Sequence, residues 1–216
     1  MADRLTLRQA ESTIQQILAD RLKRYGFSRP DLLEFERAIG GICTQYVRVS
    51  VRRVSSSVFF GCHLVIEPEE VKRAFARLDR LPDLNCALFC PIQRLGGDDR
   101  PSEWSADSPA TVCDAAADLV DEIEKSGLRL FSDFEDTDRI IAELESEIDS
   151  RVLLTDSLSG VAMLAVLYLA QGRREAAERA FDEEIASGRH EGPRRRPRIE
   201  SVRRQLLGES SGPRES

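Results

Sequence analysis

The chain of 216 residues carries a formal net charge of −7, and 41% of its residues are hydrophobic and 32% are charged. This length fits one domain, or one domain with a small appendage, and the apolar fraction is enough to bury a core. The stretch from Ser187 onward holds eight arginines against four acids and so carries +4, which leaves −11 for the first 186 residues. An acidic body argues against a nucleic-acid partner, except for weak contact through the basic tail.

Cysteine usage and the longest apolar run indicate the compartment. The five cysteines are an odd number, and residues Met1 to Leu5 lead into an amphipathic helix rather than a signal peptide. The longest apolar run, Val161 to Ala170, is shorter than the ~20 residues that cross a bilayer. We therefore expect a cytoplasmic protein with reduced thiols and no membrane span.

The first elements are one helix and a meander of strands. Thr6 and Gln9 have the spacing of a capping box, and Gly26 is suited to end the helix that they begin. A change to period two then predicts strands over Leu33–Ile39 and Ile42–Arg52, joined by a two-glycine turn.

The third strand has the clearest alternation in the chain. Its inward face is predicted to hold Val58, Phe60, Cys62, Leu64 and Ile66. A fourth strand is expected from Leu84 to about Ile92, at an edge because of Pro91. The stretch from Gly96 to Asp107 reads as a polar loop containing the single tryptophan.

The rest of the chain is predicted to be helical. Ser108 and Pro109 open a helix that Gly127 closes, and a further helix holds the apolar residues from Ile140 to Ile148. Two helices joined at Gly172 then resemble part of one tetratricopeptide repeat. The matching residues are Tyr168, Gly172, Ala176, Ala177, Ala180 and Phe181. Because stacked repeats need about three units, we interpret this segment as a single helical hairpin.

These elements predict an α+β fold, with a small antiparallel sheet of about four strands flanked by helices and followed by the helical hairpin. We expect an α+β domain over residues 1–150 and the hairpin, packed on it, over residues 151–187. Residues 188–216 are rich in Arg, Pro, Gly and Ser, which predicts a disordered basic tail that is dispensable for folding. Within it, Ile199 to Leu207 is the one stretch expected to dock weakly as an amphipathic turn.

Cysteine and histidine are the first candidates for chemistry, and neither forms a convincing site. Cys86 and Cys90 are closely spaced, but a structural zinc needs four ligands and a second pair is missing. Cys62 and His63 are neighbours on a strand, so their side chains point to opposite faces and cannot act as nucleophile and base. We therefore expect no catalytic residue, no metal and no cofactor.

A resemblance to a known family begins at Asp83. Four segments carry it in this order: Asn85-Cys86, Pro91-Ile92-Gln93-Arg94-Leu95-Gly96, Glu103-Trp104 and Gly127-Leu128-Arg129-Leu130-Phe131. Over roughly Ile14 to Leu144 the chain resembles an uncharacterised bacterial family, a domain of unknown function numbered forty-three hundred and four. The resemblance implies an α+β fold with a small antiparallel sheet and no assigned activity. Some members of that family look like immunity proteins of bacterial toxin systems.

Two classes of function follow from this pattern. The first is a cytoplasmic bacterial protein that binds another protein, because a compact acidic domain without a catalytic constellation suits a binding role. An immunity-type role is its most concrete form, since an acidic surface complements a basic toxin and speeds their encounter. The sequence indicates no oligomeric state.

The alternative is a small enzyme or ligand-binding domain with a site on the outer face of the sheet and the loop beyond. Its candidate residues are Tyr46, Arg48, Arg52, His63, Arg94 and Trp104. Arginine and tryptophan hold anions and flat groups well, and a pocket joining Arg48, Arg94 and Trp104 would favour this alternative.

Overall fold

The structure is a computed structural model, which describes residues 5–78, 84–95, 103–146, 150–189 and 195–208. Its chain divides into two compact units. The first consists of Met1–Ile66 and Phe89–Glu135, and the second consists of Glu67–Leu88 and Asp136–Ser216. Each unit is thus built from two separate stretches of chain, whereas the sequence predicts boundaries at residues 150 and 187.

The first unit contains most of an antiparallel sheet of six strands. The strands are β1 Ser28–Asp31, β2 Glu34–Ile39, β3 Cys43–Val54, β4 Ser57–Pro68, β5 Leu88–Pro91 and β6 Trp104–Ala106. They are hydrogen-bonded in the order β1-β2-β3-β4-β5, and β6 pairs with β4. The α+β fold with an antiparallel sheet is therefore confirmed.

Helix α1, Leu7–Leu22, begins and ends as its sequence predicts. Thr6 Oγ1 accepts a hydrogen bond from Gln9 N, and Gln9 Oε1 accepts one from Thr6 N at 2.9 Å, which completes the capping box. A short 3₁₀ turn follows, and Gly26 at φ 83° ends the run in the left-handed region. The stripe of α1 that faces the core consists of Ala10, Ile14, Leu18 and Leu22.

The register of β4 is the one that the alternation predicts. Val58, Phe60, Cys62, Leu64 and Ile66 are all fully buried. On β3, Val47 and Val49 are also buried, and Val51 is half-buried. A slip of one residue would turn this apolar set to the opposite face, so its burial fixes the register of the sheet.

Two strands have no counterpart in the sequence prediction. β1 has four residues, and β6 has three and lies inside the stretch predicted to be a loop. β6 pairs with β4 through Val58 and Ala106, and through Phe60 and Trp104. Strands this short have too few residues to show an alternation, so tertiary pairing decides them. Residues 96–102 of the predicted loop lie outside the described residues.

The helix that Ser108 begins does not end at Gly127, and that part of the prediction is wrong. Helix α3, Pro109–Glu122, passes through the π-helical turn Ile123–Gly127 into helix α4, Leu128–Asp133. Gly127 is in the right-handed helical region at φ −68°. A Cβ there would lie 3.1 Å from Leu64 Cδ1, so the glycine allows the helical run to approach the core side chain closely.

A polar cluster lies inside the first unit around Gln45. Gln45 is fully buried, and its Nε2 donates to the carbonyl oxygen of Phe131 at 2.9 Å. Its Oε1 accepts from Arg37 Nη2 at 2.6 Å. Arg37 also donates to the carbonyl oxygen of Tyr25 at 3.2 Å and pairs with Glu135 at 3.1 Å. Because both the donor and the acceptor of the buried amide are satisfied, the cluster joins four chain segments without an unpaired polar group.

Helices α1 and α3 are joined by an ion-pair cluster around Glu124, just beyond α3. Glu124 accepts from Arg21 Nε at 2.9 Å and from Arg21 Nη2 at 2.6 Å, and Arg24 Nη2 lies 2.7 Å away. Hydrogen bonds from Arg21, with the charges of Arg21 and Arg24, lower the pKa of Glu124 below its ordinary value of 4.5. A carboxyl with a depressed pKa stabilises the fold above its unfolded pKa, and this contribution is lost as the pH falls through the folded pKa.

We expect Glu124→Gln to have a lower melting temperature than the wild type at pH 7. The difference between the two melting temperatures should shrink as the pH falls below about 4.5. The reason is that protonation removes the same charge from the wild type. Thermal melting from pH 7 to pH 3 measures the difference. Asp114→Asn, at an exposed α3 position, is the control and should stay close to the wild type throughout. A difference in melting temperature between Glu124→Gln and the wild type that stays constant from pH 7 to pH 3 would contradict the ion-pair account.

The second unit is helical, and one buried helix forms its centre. Its helices are α2 Glu69–Phe75, α5 Thr137–Glu145, α6 Ser157–Ala170, α7 Arg174–Ala186 and α8 Arg195–Leu207. Every residue from Leu158 to Tyr168 is buried, as expected for a helix that is apolar all round. The four other helices of the unit all contact α6. The hairpin predicted from the sequence is formed by α6 and α7, and Ile148 of the preceding helix prediction lies outside the described residues.

The prediction of a disordered tail is wrong for residues 195–198, which begin helix α8, and the docking expected of Ile199 to Leu207 occurs as part of this longer helix. Ile199 and Val202 are fully buried, and Leu207 is 2% exposed. Arg203 pairs with Asp182 at 2.8 Å, and the carbonyl oxygen of Leu207 accepts from Arg174 Nη2 at 2.8 Å. The basic composition suggested disorder, but a stripe of three apolar residues is enough to dock the helix on α6 and α7. Residues 190–194 and 209–216 lie outside the described residues.

Within the described ranges, no helix is both long and apolar enough to cross a membrane.

Candidate functional site

The residues predicted to bind a ligand begin with Tyr46 and Arg48 on β3, and the structure places these two together. The Arg48 guanidinium lies 4.5 Å above the centre of the Tyr46 ring. Arg48 Nε donates to Glu34 Oε2 on β2 at 2.6 Å. Tyr46 is 6% exposed, so its ring is mainly part of the packed structure rather than an open surface.

Arg52 lies on the same face of the sheet as Arg48, further along β3. Its Nε donates to Glu103 Oε1 at 3.1 Å, and its guanidinium lies 5.0 Å above the Phe59 ring. The bond with Arg52 lowers the pKa of Glu103. A Cβ at Gly61 would lie 3.8 Å from the Ser50 hydroxyl, which shows that Gly61 and Phe59 of β4 share this face.

Trp104 lies on the other face of the sheet. It pairs with Phe60 across β4 and β6, and the two rings stack at 6.4 Å with an angle of 18° between their planes. His63 and Arg94 are exposed. The predicted residues on β3 therefore lie on one face of the sheet and Trp104 lies on the other, because β6 makes Trp104 part of the core side. Ligand binding by this set stays a prediction.

The five cysteines are free thiols. Cys43, Cys62 and Cys90 are buried, Cys86 is half-buried and Cys113 is exposed. Burial raises the pKa of the Cys62 thiol, with a smaller effect from Cys90, so Cys62 stays protonated at neutral pH. Among the residues that the structure describes, no three His, Cys, Asp or Glu side chains are grouped as metal ligands.

A concave site that the sequence did not reveal lies in the second unit. It is an open cavity of about 590 Å³ over one face of α6, and we call it the α6 groove. Its floor consists of Ser157, Val161, Leu164 and Tyr168. Its walls are formed by Leu144, Glu145, Ser146 and Arg151 on one side, and by Arg173, Ala176, Arg179, Ala180, Glu183, Glu184 and Arg189 on the other.

Local sequence explains how α6 and α7 form the groove. Asp156 caps α6 by accepting from Ser159 N at 2.9 Å, and Gly172 at φ 73° turns the chain into α7. On α7, Ala176 and Ala180 face the groove, and their small side chains leave room above the floor. The stripe on α7 that points away from the groove, including Phe181, is buried instead.

Arg151 supports the wall opposite α7. Its Nε donates to the carbonyl oxygen of Ser146 at 3.0 Å, and its Nη2 donates to the carbonyl oxygen of Leu144. These bonds satisfy carbonyl groups at the C-terminal end of α5. Burial lowers the pKa of Arg151. A Cβ at Gly160 would lie 3.5 Å from Arg151 Nη1 and 3.1 Å from Thr155 Cγ2, so the glycine makes room for this arrangement.

At the N-terminal end of α6 the charged groups are already paired. Ser157 Oγ donates to Glu184 Oε1, and Glu184 Oε2 lies 3.0 Å from Arg189 Nη2. Glu184 is 9% exposed, and a carboxylate this buried needs partners of this kind. This end of the groove is therefore a closed polar network.

The other end of the groove, which we call the Tyr168 end, consists of Glu145, Tyr168, Arg173 and Arg179. The Tyr168 hydroxyl donates to Glu145, and the Arg173 guanidinium lies 4.4 Å above the Tyr168 ring. Burial, with the bond to Glu145, raises the pKa of Tyr168 to about 12, so the hydroxyl keeps its proton at neutral pH. Arg173 and Arg179 are exposed and form no ion pair within the described part of the chain.

The sequence contained one signal for this site. Arg173, Ala176, Ala180 and Glu183 are spaced three or four residues apart, as expected for one face of a helix. The sequence predicts the hairpin and its small residues but not the wall opposite α7, because that wall comes from the end of α5 and from Arg151. Only tertiary packing brings these residues to the hairpin.

Comparisons of the chain with protein-family models, with curated proteins and with solved structures found no match. The resemblance to the domain-of-unknown-function family therefore stays a prediction, and so does the immunity-type role that it suggested.

Proposed function

We propose that this protein is a protein-binding module and that the α6 groove holds an extended segment of its partner. The observation that carries the proposal is the shape and lining of the groove. Its floor runs from Ser157 to Tyr168, which corresponds to about 16 Å of helix at 1.5 Å per residue. An extended peptide rises about 3.3 Å per residue, so about five residues fit along it.

The lining of the groove favours a peptide over a buried small molecule. Val161 and Leu164 are 8% and 9% exposed, so the floor offers a partner only a narrow apolar strip, whereas the walls carry charged side chains. Small-molecule sites are mostly apolar and enclose most of their ligand. An extended peptide alternates its side chains, so it can place one set on the apolar floor while the other set and its backbone meet the polar walls.

The hydroxyl groups of the groove support binding rather than catalysis. Ser157 and Tyr168 each donate to a carboxylate, and the raised pKa of Tyr168 makes it a proton donor rather than a base or nucleophile at neutral pH. In this arrangement both hydroxyls hold groove side chains in place for a ligand.

The test uses the full chain and three pools of capped, fluorescently labelled hexapeptides. Each hexapeptide alternates random apolar residues with a polar residue of one fixed type. The polar residue is glutamate in the first pool, glutamine in the second and lysine in the third. We expect at least one pool to bind with a dissociation constant below about 1 mM, measured by fluorescence anisotropy. Ala180→Trp fills the groove from α7 and should abolish this binding.

The matched control is Ala110→Trp, at an exposed position on α3. It adds the same side chain to the first unit and should leave peptide binding unchanged. Circular dichroism would show that both variants keep their helix content. If no pool binds the wild type, or if Ala180→Trp binds as well as the wild type does, the groove is not the binding site.

A further inference from the structure

We infer that the Tyr168 end of the α6 groove selects an acidic side chain, so that the partner segment carries an aspartate or a glutamate at this point. The inference rests on the proposed function and deepens it, because it assigns the chemistry of the segment. The observation behind it is that Arg173 and Arg179 face the groove without an ion pair in the described structure, whereas Glu184 at the opposite end is paired.

The geometry orients one of these arginines before any ligand binds. Arg173 lies 4.4 Å above the Tyr168 ring, and its Nη1 donates to Gln171 Oε1 at 3.3 Å. Stacking and a neutral hydrogen bond restrict the guanidinium without using its charge. Arg179 follows on α7, beyond the small residue Ala176, and lies near enough to Tyr168 to affect its pKa.

The carboxylate of Glu145 lies at the same end but is held by another group. It accepts a hydrogen bond from the Tyr168 hydroxyl, whose raised pKa keeps the proton on Tyr168 at neutral pH. Asp138 is held in turn by Gln171, whose Nε2 donates to Asp138 Oδ1 at 2.6 Å, and among the described residues neither carboxylate is in ion-pair contact with the two arginines. An incoming carboxylate would accept charge-assisted hydrogen bonds there, and a lysine would be repelled.

A single carboxylate on a peptide fits this end better than a free anion does. Beside it, the groove offers a peptide the small side chains of Ala176 and Ala180 and the narrow exposed edge of Leu164, and a free amino acid would use these contacts only in part. The arginines are exposed, so their attraction alone is weak in water and is screened by salt. Binding therefore requires the segment around the acid.

The experiment compares the three hexapeptide pools on the full chain and on charge variants. We expect the glutamate pool to bind at least tenfold more tightly than the glutamine and lysine pools, with the difference shrinking as salt is raised. Arg173→Gln and Arg179→Gln should each weaken binding of the glutamate pool about threefold and leave binding of the glutamine pool unchanged. Arg129→Gln, an exposed arginine on α4, is the charge-matched control and should change neither.

Glu145→Gln gives a readout that a purely structural role would not produce. Its amide oxygen can still accept from Tyr168, but the negative charge is gone, so the glutamate pool should bind several-fold more tightly. Weaker binding of that pool by Glu145→Gln would overturn the inference. Equal binding of the glutamine or lysine pool by the wild type would also overturn it, while leaving the proposed function standing. Free glutamate that competes as well as the peptide would overturn it in favour of a small-ligand site.

Discussion

Phe60→Ala is expected to lower the free energy of unfolding of the first unit by about 3–5 kcal/mol. Phe60 is fully buried on β4, where its ring stacks on Trp104 at 6.4 Å. Truncation removes the apolar contact and leaves a cavity that a sheet held by hydrogen bonds on both sides of β4 can close only in part. Denaturant unfolding followed by tryptophan fluorescence measures the loss, because Trp104 is the single tryptophan and lies against the mutated ring.

The neighbouring residue supplies a matched control. Phe59→Ala removes the same side chain from the next position on β4, but Phe59 is only half-buried and lies on the opposite face, beneath Arg52. We expect the free energy of unfolding to fall by about 1 kcal/mol there, mainly because the ring no longer contacts the Arg52 guanidinium. Equal losses at the two positions, or a larger loss at Phe59, would show that the register of β4 is wrong.

Removing α8 is expected to destabilise the second unit by roughly 5 kcal/mol, since three buried apolar side chains contribute about 1.5–3 kcal/mol each and are not fully additive. The variant is a chain truncated after Arg189, which keeps the ion pair of Arg189 with Glu184 and lacks Ile199, Val202 and Leu207. It also lacks the carbonyl partner of Arg174 and the ion-pair partner of Asp182. Differential scanning calorimetry should show a large drop in the melting temperature of this unit.

A point variant keeps this prediction testable if the truncated chain does not fold. Val202→Asn places an amide at a fully buried position and should cost about 2–4 kcal/mol. Arg204→Asn makes the same replacement at an exposed position of α8 and should change the melting temperature little. If the truncated chain melts like the wild type, α8 is dispensable, as the composition of the tail first suggested.

The period-two pattern of β4 was enough to predict its register, because five alternating apolar residues leave one way to bury them. The capping box of α1 can also be predicted from the sequence, since it depends on two residues three positions apart. β1 and β6 were missed because four and three residues carry too little pattern of their own. Their formation depends on strands that are distant in the sequence.

α8 and the α6 groove were missed for two different physical reasons. In α8 the arginines dominate the composition and predict disorder, whereas the apolar stripe from Ile199 to Leu207 decides the structure. The groove is a tertiary feature, because the end of α5 and Arg151 meet the α6–α7 hairpin only after folding. The sequence predicts Trp104 together with the outer-face candidates because it does not reveal β6, and β6 decides the face on which that ring lies.

The most direct test of the groove is methyl NMR of the full chain, titrated with the glutamate hexapeptide pool. Val161 and Leu164 provide reporter methyl groups on the groove floor, and Val58 and Leu64 provide reference methyl groups in the core of the first unit. We predict that the Val161 and Leu164 signals shift on titration while those of Val58 and Leu64 do not, and that Ala180→Trp prevents the shifts. Shifts confined to the first unit, or unchanged signals at Val161 and Leu164 when the peptides are bound, would contradict the proposed binding site.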